Sequence, residues 1–227
     1  MSTWAVVVAA GSGERLAQGV PKAFAGLAGR PLLAESIERL DASAWVDAIV
    51  VVVPEGWEEP AILLAEELGV GTVAQAVAGG PTRAQSVQLG VAEVSDDAVA
   101  ILVHDAARPL VSDAIVERVL IALGNGWDGA VPGVPLSDTV KRVDGDMIVE
   151  TLSRVDLVAA QTPQAFRADV LRAALQGDVS GATDCASLVE ARGGRVTIVE
   201  GDPRLLKVTS ADDLAQVERL LAENGSE

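Results

Sequence analysis

The chain has 227 residues, of which 49% are hydrophobic, and carries a formal net charge of −16 at pH 7. This length and apolar content suit one α/β domain with a large core. The negative charge argues against a nucleic-acid-binding protein, which needs a basic face to displace the counterions of the phosphate backbone. A small anionic ligand would need a few cations gathered in one cleft, and the chain has only three lysines: Lys22, Lys141 and Lys207.

The sequence also bears on location. The aliphatic run at 48–53 has the length of a strand and is far too short to span a bilayer. The first residues lack the positive flank and cleavage site of a signal peptide. The single cysteine, Cys185, cannot form an internal disulfide, which fits a reducing compartment. We therefore expect a cytoplasmic protein that does not contact a membrane.

Apolar runs and amphipathic segments alternate along the chain, which is typical of a parallel sheet with helices on both faces. The apolar runs are continuous, as expected for strands covered on both sides, and the other segments space their apolar residues as helices do. In chain order we predict strand 6–9, helix 32–40, strand 49–53, helices 61–68 and 84–94, strand 99–103, helix 114–123, strand 196–199 and a last helix around Leu214, Val217 and Leu221.

The segment 134–154 departs from this alternation. It contains two β-rich runs around Asp144-Gly145, which is a hairpin turn signal. Both runs carry polar residues on both faces, so they are poorly suited to a core. We predict a β-hairpin arm that lies on the surface or extends toward a partner.

The loop that follows the first predicted strand is rich in glycine, with the sequence AAGSG at 9–13. A dinucleotide fingerprint needs a third glycine where this chain has Leu16, and a P-loop needs a Gly-Lys-Ser/Thr that is absent here. Two interpretations remain. The backbone N–H groups bind a nucleotide triphosphate with Arg15 and Lys22 beside it, or the loop is a flexible turn with two surface cations.

Further motifs stand near predicted strand ends, where ligands bind in open α/β sheets. They are GGPTRAQS (79–86), HDAARP (104–109), SDTVK (137–141), QTPQAF (161–166), ATDCAS (182–187) and KVT (207–209). Together with AAGSGERL and the Pro-Lys pair at 21–22, this ordered set resembles the 2-C-methyl-D-erythritol 4-phosphate cytidylyltransferase family over nearly the whole chain. The resemblance implies a single Rossmann-like nucleotidyltransferase domain over 1–227, with a mostly parallel sheet flanked by helices and a protruding β-hairpin arm.

The reaction that the resemblance implies is the transfer of CMP from CTP to methylerythritol phosphate, with release of pyrophosphate. Such transfers depend on positioning and charge neutralisation more than on covalent catalysis. By the family match the catalytic cations are Arg15, Lys22, Arg154 and Lys207. The same match assigns nucleotide binding to Ala9, Ala10, Gly11, Gly80, Arg83, Ser86 and Asp105.

The resemblance also implies a substrate pocket, a metal and a partner. The residues matched to the acceptor are Asp105, Arg108, Thr139, Arg154, Thr162, Thr183 and Lys207. Asp105 is the expected protein ligand of Mg²⁺ or another divalent cation, and the arm at 134–154 would form a homodimer with shared active sites. We interpret His104 as a packed, hydrogen-bonded residue and Cys185 as an unreactive helix residue.

The chain departs from the family pattern at Pro81, Cys185, Arg204 and Leu205, where acidic residues or an asparagine are expected. Other functions therefore stay open. They are a ribitol 5-phosphate cytidylyltransferase, a sugar-phosphate or molybdopterin nucleotidyltransferase, and a non-catalytic nucleotide-binding module.

Overall fold

The computed structural model describes residues 2–11, 13 and 19–224. The strands of this part of the chain are β1 Ser2–Val8, β2 Gly26–Leu27, β3 Arg30–Pro31, β4 Ala48–Val53, β5 Val73–Ala78, β6 Ala98–Asp105, β7 Gly129–Pro135, β8 Val140–Asp144, β9 Met147–Leu152, β10 Val158–Ala160, β11 Gln164–Arg167 and β12 Val196–Glu200. Its α-helices are α1 Leu32–Asp41, α2 Glu58–Leu68, α3 Arg83–Ala92, α4 Asp113–Gly124, α5 Ala168–Ala174, α6 Cys185–Ala191 and α7 Ala211–Asn224. A short 3₁₀ turn covers Lys22–Phe24.

One eight-stranded sheet organises the molecule, in the order β10-β7-β11-β6-β1-β4-β5 with β12 beside β7. The neighbours β6, β1, β4 and β5 are parallel, and so is the β7–β12 pair. Within this sheet, as far as the structure describes the chain, only β10 and β11 run antiparallel to their neighbours. The predicted mostly parallel sheet is confirmed.

Both faces of the sheet are covered, because successive strand residues pack into different clusters. Val51 and Val53 of β4 join the cluster that contains residues of α1, α2 and α4. Val50 and Val52 join the cluster on the other face, with residues of α3, α5 and α6. This two-residue alternation explains why β4 is aliphatic throughout.

The predicted elements all form, with ends that differ by a few residues. Strands β2, β3, β5, β7, β10 and β11 and helices α5 and α6 are additions that the periodicity did not indicate. None of the described helices combines the length and the apolar character needed to cross a membrane.

Strands β8 and β9 form the hairpin arm, an antiparallel pair separate from the eight-stranded sheet. Gly145 occupies its turn with a positive φ of 56°, as the Asp-Gly signal predicts. The preceding residues Val134 and Pro135 still belong to β7 and pair with β10. The arm leaves large apolar side chains in solvent, with Met147 and Ile148 exposed by 64% and 59%.

Candidate active site

A cleft of about 840 Å³ opens at the carboxyl ends of β1 and β6. This is the edge at which open α/β sheets bind ligands. Among the described residues that line it, the charged ones are three cations and one carboxylate: Lys22, Arg83, Lys207 and Asp105. The cleft is therefore locally positive in a chain whose formal net charge is −16.

The opening glycine loop forms one wall of the cleft. Ala9, Ala10, Gly11 and Gly13 line it together with Lys22. The backbone N–H of Lys22 donates to the carbonyl of Gly11 at 3.2 Å, which joins the two ends of the loop. Gly13 has a φ of +75°, and a Cβ there would lie 2.8 Å from the backbone nitrogen of Lys22, so glycine is required. Arg15, a predicted catalytic cation, lies outside the described residues.

The loop 79–82 forms the opposite wall and is held by the start of α3. The hydroxyl of Ser86 accepts from the N–H of Gly80 at 3.1 Å and lies 3.0 Å from the carbonyl oxygen of Thr82. Thr82 caps α3 in a reciprocal arrangement with Gln85. A Cβ on Gly79 would lie 2.5 Å from that of Ala10, so the two walls approach closely because this residue is glycine.

Asp105 joins the cations at the base of the cleft. Its Oδ1 accepts from Nε of Arg83 at 2.8 Å and lies 2.8 Å from Nη2 of the same guanidinium, and its Oδ2 accepts from Nζ of Lys207 at 2.7 Å. Burial by itself raises the pKa of this carboxyl, but the charges of Arg83 and Lys207 outweigh it and hold the pKa well below its usual range. Asp105 is therefore ionised at neutral pH and keeps both cations in place.

A buried chain of hydrogen bonds lies behind Asp105. The N–H of Asp105 donates to Oγ1 of Thr162 at 3.0 Å, and Thr162 in turn lies 3.2 Å from Nδ1 of His104. Nε2 of His104 lies 3.1 Å from the carbonyl oxygen of Arg108 and must be the protonated nitrogen. Burial lowers the pKa of His104 to about 4, so the imidazole is neutral and both its nitrogens are engaged. The interpretation of His104 as a packed residue agrees with this geometry.

The guanidinium of Arg108 braces the backbone. Nη1 donates to the carbonyl of Leu205 at 2.8 Å, and Nη2 donates to that of Ala160 at 3.3 Å. Arg108 and Thr162, both matched to the acceptor site, do not line the cleft in this chain. They hold the segments from which Asp105 and Lys207 extend.

Gln161, which is not among the predicted site residues, makes similar contacts. Its amide nitrogen donates to the carbonyl of Asp202 at 2.8 Å, and its amide oxygen accepts from the N–H of the same residue at 3.0 Å. The available signal was its place in the QTPQ motif beside Thr162.

Three predicted substrate residues lie apart from the cleft. Thr139 and Arg154 flank the two strands of the arm, and Thr183 precedes α6. All three are exposed, and none of them lines the cleft. Of the predicted site residues, those that the structure does bring together around the cleft are Ala9, Ala10, Gly11, Lys22, Gly80, Arg83, Ser86, Asp105 and Lys207.

The four residues that depart from the family pattern lie in different environments. Pro81 lines the cleft from an exposed position, and Arg204 is exposed on the turn before Lys207. Leu205 is fully buried in the core. Burial raises the pKa of the Cys185 thiol to about 11, in agreement with an unreactive helix residue.

Comparison with known proteins decides the family. The model of the 2-C-methyl-D-erythritol 4-phosphate cytidylyltransferase (IspD) family matches residues 3–223. The chain belongs to the IspD family. An IspD-family relative from Frankia casuarinae is 45% identical over 96% of this chain and 80% of its own. Another, from Saccharopolyspora erythraea, is 44% identical over 98% of this chain and 100% of its own.

Solved IspD-family structures share the fold. The crystal structure of 2-C-methyl-D-erythritol 4-phosphate cytidylyltransferase from Thermus thermophilus superposes with a TM-score of 0.78 at 33% identity. That match covers 96% of this chain and 98% of the other. The resemblance and the fold class drawn from the motifs are both confirmed.

Proposed function

We propose that this chain transfers the cytidylyl group of CTP to 2-C-methyl-D-erythritol 4-phosphate and releases pyrophosphate. The observation that carries the proposal is the cleft of this IspD-family chain, where Lys22, Arg83, Lys207 and one carboxylate line the space between two glycine-rich walls. Two anionic substrates can be held there despite the negative charge of the molecule. The reaction supplies isoprenoid precursors by the non-mevalonate pathway.

The chemistry is an in-line displacement. A phosphate oxygen of the acceptor attacks the α-phosphorus of CTP, and the bond to the β-phosphate oxygen breaks. Lys22 stabilises the charge that accumulates around the α-phosphorus and on the leaving pyrophosphate, together with Arg15. The acceptor phosphate is already a nucleophile, so no general base is needed, and the neutral, fully engaged His104 supplies none.

The glycine walls bind the nucleotide. Backbone groups of Ala9, Ala10 and Gly11 contact the phosphates, and Gly80 of the 79–82 loop, with Arg83 and Ser86 of α3, receives the cytosine and ribose. The close approach of Gly79 to Ala10 narrows this region, which favours a pyrimidine over the larger purines.

The residues present fit a magnesium ion that is held mostly by substrate. Among the described residues no group of three or more His, Cys, Asp or Glu side chains is arranged to hold a metal. Asp105 offers one carboxylate at the cleft, and its four lone-pair sites exceed its two hydrogen bonds, one from Arg83 and one from Lys207. Mg²⁺ commonly takes one carboxylate with phosphate oxygens and water, and when bound it neutralises phosphate charge.

We also propose a homodimer in which the arm, within residues 134–154, reaches the cleft of its partner. Thr139 and Arg154 are exposed at the base of the arm and do not line the cleft of their own chain. Apolar side chains of the arm, Val143, Met147, Ile148 and Val149, are also exposed and would be covered by a second protomer. We place this single-domain enzyme in the cytoplasm, where its buried cysteine stays reduced.

The test is pyrophosphate release by the purified protein with Mg²⁺. CTP with methylerythritol phosphate should support turnover, while CTP with ribitol 5-phosphate should support far less. Replacing CTP by ATP or GTP should nearly abolish the reaction. Equal release of pyrophosphate from ATP would refute the cytidylyl assignment. Faster turnover with ribitol 5-phosphate than with methylerythritol phosphate would show that ribitol 5-phosphate is the acceptor.

A further inference from the structure

The side chain of Gln161 is buried against the turn that precedes Lys207. It is 5% exposed and makes a paired contact with Asp202: its amide nitrogen donates to the Asp202 carbonyl, and its amide oxygen accepts from the Asp202 N–H. A further contact of 3.4 Å links its nitrogen to the carbonyl of Leu205. A Cβ on Gly201 would lie 2.5 Å from the amide oxygen, so the turn is shaped around this side chain.

Lys207 follows this turn by two residues. Beyond Leu205 the backbone is fixed again where the N–H of Val208 donates to the carbonyl of Ala107 at 2.8 Å. Between these anchors Lys207 extends its ammonium to Asp105. The position of that ammonium therefore depends on where the 202–205 turn is held.

The neighbour of Gln161 holds the other member of the ion pair, because Thr162 accepts from the N–H of Asp105 at 3.0 Å. Two consecutive residues of the QTPQ motif thus fasten the segments of Lys207 and Asp105. We propose that Gln161 is a positioning residue for Lys207: it sets the turn so that the ammonium meets Asp105 at the base of the cleft. Its amide suits the task because it pairs with both the N–H and the C=O of one residue.

The first test measures the chemical reactivity of Lys207 and needs no turnover. The chain has three lysines, so acetylation of each can be followed by mass spectrometry, with the exposed Lys141 as the internal reference. In Gln161→Met the ion pair loosens, and Lys207 should be acetylated several-fold faster relative to Lys141. Unchanged labelling of Lys207 in the folded variant would overturn the proposal.

Gln88→Met is the matched control. The amide of Gln88 also fastens a turn by donating to two carbonyls, those of Leu175 and Gly177, but on a different segment. Gln88→Met should leave the acetylation rate of Lys207 relative to Lys141 at its wild-type value. An equal rise in both variants would mean that general loosening, rather than Gln161, controls Lys207.

The second test is a double-mutant cycle on turnover, and it rests on the proposed function. Gln161→Met should lower kcat/KM about tenfold, the effect of losing a buried hydrogen-bond pair. In a Lys207→Ala background it should cause little further loss, whereas in a Lys22→Ala background the full loss should persist. An undiminished effect in the Lys207→Ala background would show that Gln161 does not act through Lys207.

Gln161→Glu keeps the shape of the side chain and is the second variant to test if Gln161→Met does not fold. A protonated glutamic acid donates to the Asp202 carbonyl and accepts from its N–H, as the amide does, so activity relative to wild type should recover as pH falls. A ratio that does not change with pH would contradict the role. If wild type fails to turn over the acceptor, the proposed function fails while the labelling test still decides this inference.

Discussion

Asp105 accepts hydrogen bonds from two cations that the chain separates by more than half its length, Arg83 and Lys207. Each ion pair is partly shielded from solvent, since the side chain of Asp105 is 9% exposed. A buried carboxylate without such partners would carry a large desolvation cost. The same contacts that stabilise Asp105 therefore fix two cations where an anionic substrate enters.

Removing Lys22 should affect the transition state more than the ground state. We expect Lys22→Ala to lower kcat and kcat/KM together, by about 10²- to 10³-fold, because the charge it stabilises develops during the reaction. Steady-state kinetics with CTP gives both constants. Arg167→Ala is the control, since it removes an equal charge from an exposed strand end outside the cleft. A variant with wild-type kcat and only a raised KM for CTP would show that Lys22 merely binds the nucleotide.

His104 should make stability depend on pH in a defined window. Its pKa is about 4 in the folded protein, against about 6.5 when unfolded, because burial disfavours the charged ring. The unfolded chain therefore binds more protons between these values, and the free energy of unfolding falls as pH is lowered from 6.5 to 4. The full contribution, about 3 kcal/mol at most, is present above roughly pH 6.5.

Urea denaturation at several pH values checks this for wild type and His104→Gln. The variant should lose that part of the pH dependence, whatever its overall stability. The stabilisation from ionised Asp105 is lost only in more acidic solution, below the ordinary aspartate pKa, so the two effects separate. Identical slopes in the two proteins would contradict a buried neutral imidazole.

The motifs predicted most of the residues that line the cleft, because a glycine loop and a cation at a strand end leave a local signal. The partners of the supporting side chains have no such local signal, although Gln161 and Arg108 themselves stand within motifs. Gln161 reaches Asp202 across 41 residues, and Arg108 reaches Leu205 across 97, in both cases through backbone groups that any residue would present. Such partners are set by the tertiary fold and not by local spacing.

Among the secondary-structure elements, the continuous aliphatic strands were predicted, whereas strands that are very short, rich in glycine or interrupted by a polar residue, as β5 is by Gln75, were not. The sequence of β7, GAVPGVP, contains residues that usually mark turns, yet it pairs with β10, β11 and β12. Close packing explains one of its glycines, because a Cβ on Gly129 would lie 2.6 Å from the ring of Phe166. Packing between distant segments decides the structure here, and propensity does not.

The packing of α3 on the sheet gives a stability prediction. A Cβ on Gly90 would lie 2.6 Å from methyl carbons of Val6 and Val52, so the helix approaches β1 and β4 through a bare backbone. We expect Gly90→Ala to lower the free energy of unfolding by about 1–3 kcal/mol through overpacking. Urea denaturation measures the change.

Gly124→Ala provides the matched control in another helix. A Cβ there meets nothing within 4 Å, so the same substitution should be neutral or slightly stabilising. If both variants had equal stability, the close packing of α3 against the sheet would be contradicted.

For the whole molecule, the arm and the cleft are separate surfaces of one chain, which makes the proposed shared site testable. Lys22→Ala and Arg154→Ala homodimers should both be nearly inactive. Co-folding them places both lesions in one site of each mixed dimer and leaves its other site intact. With random pairing about half the dimers are mixed, so about a quarter of wild-type activity should return.

This experiment needs two controls. Mass spectrometry of differently tagged chains must show that mixed dimers form, and a mixture of Lys22→Ala with itself must stay inactive. A mixture that stays inactive although exchange is shown would mean that Arg154 serves the cleft of its own chain.

The pairing of Lys207 with Asp105 has a consequence for biosynthesis. The glycine loop, the 79–82 loop and Asp105 are all synthesised within the first half of the chain. Lys207, the cation that completes the base of the cleft, lies 102 residues after Asp105. Chains emerge from the amino end at roughly 5–20 residues per second, so a nascent chain carries a half-formed cleft for several seconds. During that interval Arg83 is the partner already available to Asp105. The acceptor side of the cleft should therefore be complete only after residues 202–209 have left the ribosome and docked, later than the nucleotide-binding loops.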